Sequence, residues 1–340
     1  TAAIHQSAFT LAKDSLNDIS TQMDFWRSKS NLAKSNSSVA LTCSSEDATG
    51  SSRAELNNCQ GDNKWRLWIA GNDGNQVLSG KSNKGIADVK AESNRLIVAL
   101  DYELDPNTLI GAAFTDGKAR YDIKDRSSSG TVDNTGVTFF GIKDFDQYYI
   151  KAMLGYDWLK ATSARNIFIE GTDQGSTIID DISNRVEADY KGQMLNTRIE
   201  AGYKYLVDGI NVTPFIGAQF AMTQYDRAKE KETTGAETHA GLKYEQNRNY
   251  SAPLFVGFQL DRNYEFDYGI LQPYARFSLN HDLSTDREIE SSFVAAPGYT
   301  FTINGGEPQK TSLDLNLGFK MNTNANVAIF GQYNGKFSSS

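Results

Sequence analysis

The sequence predicts an all-β transmembrane fold, an antiparallel outer-membrane β-barrel preceded by an N-terminal α-helix, on three observations. Apolar and polar residues alternate with period two in one segment after another, and the polar set carries full charges. The connections between these segments alternate between short and long. The first thirty residues follow a helical period instead.

At 340 residues the chain suits one large domain or two ordinary ones. Its mean hydropathy is −0.49, and no stretch approaches the roughly 18 apolar residues of a spanning helix. That leaves a soluble all-β protein or a membrane barrel, whose short alternating spans escape hydropathy scans. The net charge of −8 gives no basic face for nucleic acid. No signal peptide opens the sequence, so the chain is expected to be mature or excised from a longer precursor. Cys43 and Cys59 lie in a Ser/Asn-rich segment; an oxidising compartment would let them form a disulfide, with free thiols as the alternative. Two cysteines without nearby histidines are a poor metal site, and neither a metal nor a cofactor is expected.

Phe9, Ala12, Leu16, Ile19, Met23 and Trp26 fall at spacings of three and four and form one apolar stripe. Lys13, Asp14, Asn17, Asp18 and Gln22 lie off it. Residues 7 to 27 would span about 30 Å, which suits either a surface helix or a helix plugging a pore of its own length. The organisation expected is a pore-spanning helix over 1–30, a polar linker with Cys43 and Cys59 over 31–62, and a barrel over 63–340.

Eleven barrel strands are read. The first, near 64 to 72, sets Trp65, Leu67 and Ile69 against Arg66 and Trp68. The second, near 95 to 104, sets Leu96, Val98, Leu100 and Tyr102 against Asp101 and Glu103. Others run near 108 to 120 and 134 to 144. The fifth, 147 to 160, puts Tyr148, Ile150, Leu154, Tyr156 and Trp158 opposite Lys151 and Asp157. The sixth, 194 to 206, puts Leu195, Ile199 and Tyr203 opposite Arg198, Glu200 and Lys204. Strands follow near 211 to 225, 250 to 262, 269 to 281 (with Arg276 on the polar face), 311 to 322 (with Asp314 and Lys320) and 326 to 337.

Short turns, such as Asp105-Pro106-Asn107 and Val207-Asp208-Gly209, alternate with long polar loops near 73 to 92, 121 to 133, 161 to 190, 226 to 249 and 282 to 310. Outer-membrane barrels alternate this way, with turns on the periplasmic side and loops outside. Charged residues packed against a second sheet would cost several kcal/mol each, whereas a wet lumen takes them cheaply. The apolar face is therefore read as the lipid face. Arg66, Asp101, Glu103, Lys151, Asp157, Arg198, Glu200, Lys204, Arg276, Asp314 and Lys320 are expected to face the lumen. Backbone groups in lipid must pair internally, which demands closure. Tyr102, Tyr156, Trp158, Tyr203 and Tyr205 sit near strand ends, where interfacial aromatic girdles form.

Three histidines are present, His5, His239 and His281. His281 lies beside Asp282 and three residues after Ser278. On a strand that spacing points Ser278 and His281 to opposite faces, and a triad needs convergence. No catalytic residue is expected.

Several segments together resemble the C-terminal translocator (β-barrel) domain of type Va autotransporters over essentially the whole chain. They are Trp65-Arg66-Leu67-Trp68, Gly155-Tyr156-Asp157-Trp158, Glu200-Ala201-Gly202-Tyr203, Leu271-Gln272-Pro273-Tyr274-Ala275 and the run from Ala328 to Phe337. The resemblance implies a twelve-stranded barrel threaded by residues 7 to 27, with a passenger domain N-terminal to Thr1. A twelfth strand is then expected after Phe337, or one has been overlooked, with Tyr299, Phe301 and Ile303 as the best candidate. Some family members cut themselves at an Asn-Asn pair in the helix. Here the helix has only Asn17, and Asn57-Asn58 lies outside it, so self-cleavage is not carried over. The implied function is to anchor the passenger in the outer membrane of a Gram-negative bacterium and support its secretion and surface display. Implied partners are outer-membrane lipid, the barrel assembly machinery and periplasmic chaperones, with the domain itself a monomer. The alternatives are a porin-like small-solute channel and an outer-membrane hydrolase.

Overall fold

The computed structural model describes residues 2–29, 50–56, 64–78, 88–123, 127–173, 178–179, 181–235, 240–267, 269–285, 288–304, 308–323 and 328–338. Cys43, Cys59, Asn57, Asn58, His239 and most of the expected linker lie outside them. One helix, α1 (Ala2–Lys29), precedes a large antiparallel sheet. No proline or glycine interrupts residues 2–29, so nothing removes a helical hydrogen bond or loosens the backbone.

The barrel strands are β1 (Gly50–Leu56), β2 (Trp65–Leu78), β3 (Val89–Asp105), β4 (Thr108–Ile123), β5 (Ser128–Phe145) and β6 (Tyr148–Ile169). They continue as β7 (Ile182–Tyr203), β8 (Ile210–Tyr225), β9 (Pro253–Asp261), β10 (Gly269–Asp282), β11 (Thr311–Thr323) and β12 (Ala328–Phe337). Each pairs antiparallel with the next. β1 also pairs with β12, Ala54 opposite Ile329, so the described strands form a closed hydrogen-bonded ring of twelve. Closure leaves the spanning part of the sheet no unpaired edge in lipid.

Two sequence expectations change here. The strand overlooked is β1, inside the stretch read as linker, and it supplies the pairing partner of Ala328–Phe337 that was expected after Phe337. Tyr299, Phe301 and Ile303 do form a strand, Ala296–Asn304, but it lies outside the ring. It belongs to a four-stranded sheet with Ala228–Lys229, Leu242–Tyr244 and Glu288–Phe293.

The alternation is inside-out. Phe114, Phe139, Leu154, Ile199, Ile216, Leu254, Val256 and Leu317 lie exposed on the outer face, while Asp101, Lys151, Arg198, Glu200 and Lys320 are buried on the inner one. An exposed apolar belt of this extent is untenable in water and natural in lipid. Aromatic pairs edge it: Trp65 with Tyr102 at 4.7 Å and Tyr203 with Tyr205 at 4.6 Å at the turn end, and Tyr156 with Trp158 at 5.1 Å toward the loops.

The turns are set locally. Asp105 accepts bonds from the Asn107 amide (2.8 Å) and the Thr108 hydroxyl (2.7 Å), fixing the β3–β4 turn. Asp208 and Gly209 both have positive φ, 50° and 78°, between the paired residues Val207 and Ile210. That is a two-residue hairpin turn whose twist suits the strands. At the other end β6 and β7 run 22 residues each, well past a lipid band about 25 Å tall.

Candidate functional site: a helix-filled lumen

An eight-stranded barrel is filled by its own side chains. Twelve strands leave room for one helix about 10–12 Å across, and α1 occupies it. The helix is buried nearly all round: Ile4, Leu16, Ile19 and Met23 are fully covered, but so are Asp18 and Gln22. Its amino end lies toward the long loops, where Ala3, Ile4 and Phe9 pack with Tyr121, Tyr225, Leu242, Tyr244 and Ile289. Its carboxyl end lies toward the turns, where Phe25 packs with Tyr274, Ala328 and Phe330.

The lumen has two unlike walls. The apolar stripe of α1 meets an inner face that is itself apolar: Leu16, Ile19, Met23 and Trp26 pack on Trp68, Ala70, Ile97, Ala99, Leu109, Ala113, Phe140 and Met153. Small residues let helix and wall approach, and a Cβ on Gly111 would strike the Phe140 ring. The expectation of a charged inner face on nearly every strand therefore holds for only part of the circumference.

Toward β10–β12 the helix turns its polar face. Lys13, Asp14, Asn17 and Thr21 line a cavity of about 370 Å³ closed on the far side by Phe255, Arg276 and other wall residues. Below it lies a buried charge cluster. Asp24 of α1 accepts from Lys151 at 2.7 Å and lies 3.6 Å from Arg276. Glu200 accepts from the Tyr149 hydroxyl (2.7 Å), Arg198 (3.0 Å) and Arg276 (2.6 Å), with Lys151 at 3.2 Å. Arg27 joins Asp24 at 3.3 Å. Aromatic faces share the cationic load: Arg27 lies 4.2 Å from the Tyr149 ring, Arg276 3.5 Å from Phe215 and Arg198 4.4 Å from Phe255. A buried charge is tolerated when it is paired and hydrogen-bonded, which this cluster achieves.

Further contacts tie α1 to the rest of the ring. Asp18 accepts from Arg95 of β3 and Gln332 of β12, both at 2.9 Å. Lys13 meets Asp314 at 2.5 Å, His5 meets Thr223 at 2.6 Å, and Arg198 meets Asn17 at 2.5 Å. The Trp26 indole donates to Glu103 at 3.1 Å. Arg66 pairs with Asp101 at 2.8 Å and donates to the Gln22 carbonyl at 3.5 Å.

The other charged positions stand apart from the helix or touch it differently. Asp157 accepts from Asn134 at 2.9 Å and from Asn196 within the wall. Lys320 is buried over the Phe25 and Phe330 rings. Lys204 lies half-buried just past the end of β7. Sequence reading did not single out Arg95, Tyr149, Asp24 or Gln332. Arg95 shares the parity of Asp101, which was the available signal.

His281 is exposed and bonds Thr311 at 2.9 Å, while Asp282 caps the Ala252 amide (2.8 Å) and Ser251 (2.6 Å). Ser278 receives a long bond from Asn280, so these three side chains have separate partners. Among the described residues no group of side chains is arranged to hold a metal, and no helix is long and apolar enough to cross a membrane.

Over the loop end, the four-stranded sheet forms a cap clasped to the wall. Glu230 accepts from Arg165 of β6 (2.9 and 2.7 Å), the Tyr244 hydroxyl (2.8 Å) and the Leu242 amide (2.8 Å). Burial pushes the Tyr244 hydroxyl well above the usual phenol range, with Tyr190 and Glu230 adding to it.

The model of the family described as Autotransporter beta-domain matches residues 67–334. The chain is 24% identical over 208 residues to an extracellular serine protease of Serratia marcescens, covering 61% of this chain and 18% of that protein. It is 22% identical over 285 residues to esterase EstA of Pseudomonas aeruginosa, covering 83% and 42%. It thus spans less than half the length of these relatives. Among solved structures, the translocator domain of autotransporter NalP from Neisseria meningitidis superposes over 99% of both chains, with a TM-score of 0.59 and 13% identity.

Proposed function

Because this chain belongs to the autotransporter β-domain family, we propose that it is the outer-membrane translocator and anchor of a passenger joined to the amino end of α1, with α1 as the tether left in the pore. The carrying observation is that α1 is buried nearly all round inside the ring and bonded to strands on every side of it. Its direction fits: the amino end lies with the long loops, which face outward in such barrels, so a passenger there is displayed outside. The charged lumen side chains are proposed to hold the helix in place, since Asp18, Asp24 and Lys13 each find an opposite charge on the wall. An outer face this apolar needs an escort through the aqueous periplasm, which makes chaperones and the barrel assembly machinery the expected partners. A closed ring with no free edge suits a monomer.

A channel protein would keep its lumen open. Single-channel conductance in planar bilayers separates the two readings. The full chain should conduct weakly and a variant lacking residues 1–30 strongly, by about an order of magnitude, as the helix section is removed from the pore. Equal conductance of the two would refute the plug.

A further inference from the structure

Outside the lumen, one row of the sheet breaks the rule that like charges avoid facing each other. Lys160 of β6 lies directly across from Lys191 of β7, an arrangement that destabilises a sheet unless something neutralises it. Both side chains are exposed on the outer face. Asp133 is the other cross-strand neighbour of Lys160, and Lys118 engages it at 3.1 Å. On its other side Lys191 faces Asp226, whose amide donates to the Lys191 carbonyl at 2.9 Å, so the row Lys118, Asp133, Lys160, Lys191, Asp226 holds three cations to two carboxylates. Asp189, the next outward residue of β7, stands across from Thr162; among the described residues neither Lys160 nor Lys191 makes an ion pair within 4 Å.

The position of the row gives the excess a meaning. Trp158, 55% exposed, lies two residues before Lys160 on the same face, about 7 Å nearer the membrane centre. Trp158 and Tyr156 mark the loop-side edge of the apolar belt. The lysines therefore lie where the outer leaflet presents its headgroups. Beyond them opens a depression of about 790 Å³, lined by Arg120, Arg185 and Lys231, by Thr131 and Thr162, and by acids including Glu187 and Asp189.

We propose that Lys160 and Lys191 form a binding site for the phosphate of an outer-leaflet phosphoglycolipid, with the depression beyond them receiving the sugar. A phosphate between the two ammonium groups removes their repulsion and gains charge-assisted hydrogen bonds. The acyl chains then run down past Trp158. The site lies on the outer wall and is independent of the helix in the lumen.

The probe is lipid A, the phosphorylated disaccharide lipid of Gram-negative outer leaflets, compared with the same lipid stripped of phosphate. The full chain is loaded with each in mixed micelles, and retained lipid is counted by native mass spectrometry. The folded protein should retain the phosphorylated form about thirtyfold better, the equivalent of about 1 kcal/mol per lysine at a charged membrane surface. Lys160→Gln with Lys191→Gln should abolish that preference, and millimolar inorganic phosphate should leave it intact. Equal retention of both lipids, undiminished preference in the double variant, or displacement by inorganic phosphate would each overturn the proposal. Heat-modifiable migration on gels establishes that the variant is folded. If the double variant is not, Lys191→Gln alone serves, and an unchanged preference there counts against the site.

Discussion

Glu200 has three cations and a phenol around one carboxylate, so removing its charge takes the carboxylate from Arg198 and leaves Lys151 and Arg276 to share Asp24. Breaking a buried pair in this way costs about 3–5 kcal/mol. Glu200→Gln should lower the urea stability of the folded barrel by about that amount. Glu187→Gln, which loses an exposed pair with Arg185, should change it by less than about 1 kcal/mol. Equal effects in a urea titration would mean that the cluster does not carry charge in the folded lumen. Parity makes a second residue-scale contrast. Ile199 is 56% exposed on the outer face, while its neighbour Arg198 is buried inside. Ile199→Arg should impair assembly by about 2–4 kcal/mol, the cost of a cation on the lipid face near mid-membrane, whereas Arg198→Ala should leave the protein membrane-inserted and mainly alter the pore. Membrane extraction with urea reads both, and an Ile199→Arg protein as well inserted as wild type would contradict the orientation.

Among the elements, the cap is the part most separable from the rest. Its clasp centres on one carboxylate: Glu230 bonds the wall through Arg165 and the cap through Tyr244 and Leu242, and Arg165 also donates to the Ala240 carbonyl at 2.8 Å. Glu230→Ala should leave those donors unsatisfied, a loss of about 1–3 kcal/mol, and speed amide exchange across Leu242–Tyr244 by roughly tenfold or more without changing exchange in β3–β6. Uniform acceleration would mean that the cap and barrel open as one unit.

The elements also show what the sequence could and could not carry. Inside the lipid band each strand meets oil on one face and the lumen on the other, so period two is visible and sorts Lys151 from Ile150 or Arg276 from Phe277 without coordinates. Past the band both faces meet water or loops, the contrast vanishes, and the ends of β6 and β7 read as loop. Gly-Ser-Ser-Arg-Ala-Glu-Leu has no apolar run to announce β1; its strand state comes from two neighbouring edges that need a partner. Three of the cap strands, of two to six residues, are too short for a period, whereas the nine-residue one showed its alternation at Tyr299, Phe301 and Ile303. In the lumen, charge and parity pointed to Arg66, Glu200 and Arg276. They could not say that Asp24 and Asp18 on the helix stand at the heights of Lys151 and Arg95, because that depends on how far α1 is threaded.

At the scale of the molecule, the chain is a barrel turned inside-out relative to a soluble one, with a helix where a channel would be. Its four tryptophans fall on both sides of that boundary. Trp65 and Trp158 are 53% and 55% exposed on the outer face, while Trp26 and Trp68 are buried in the lumen at 7% and 0%. Four single-tryptophan proteins, reconstituted in bilayers with brominated acyl chains, therefore test both the orientation of the wall and the seat of the helix at once. Trp65 and Trp158 should be strongly quenched, and Trp26 and Trp68 nearly untouched. Quenching of Trp26 as strong as that of Trp158 would place the helix in lipid, outside the barrel, and contradict the central reading.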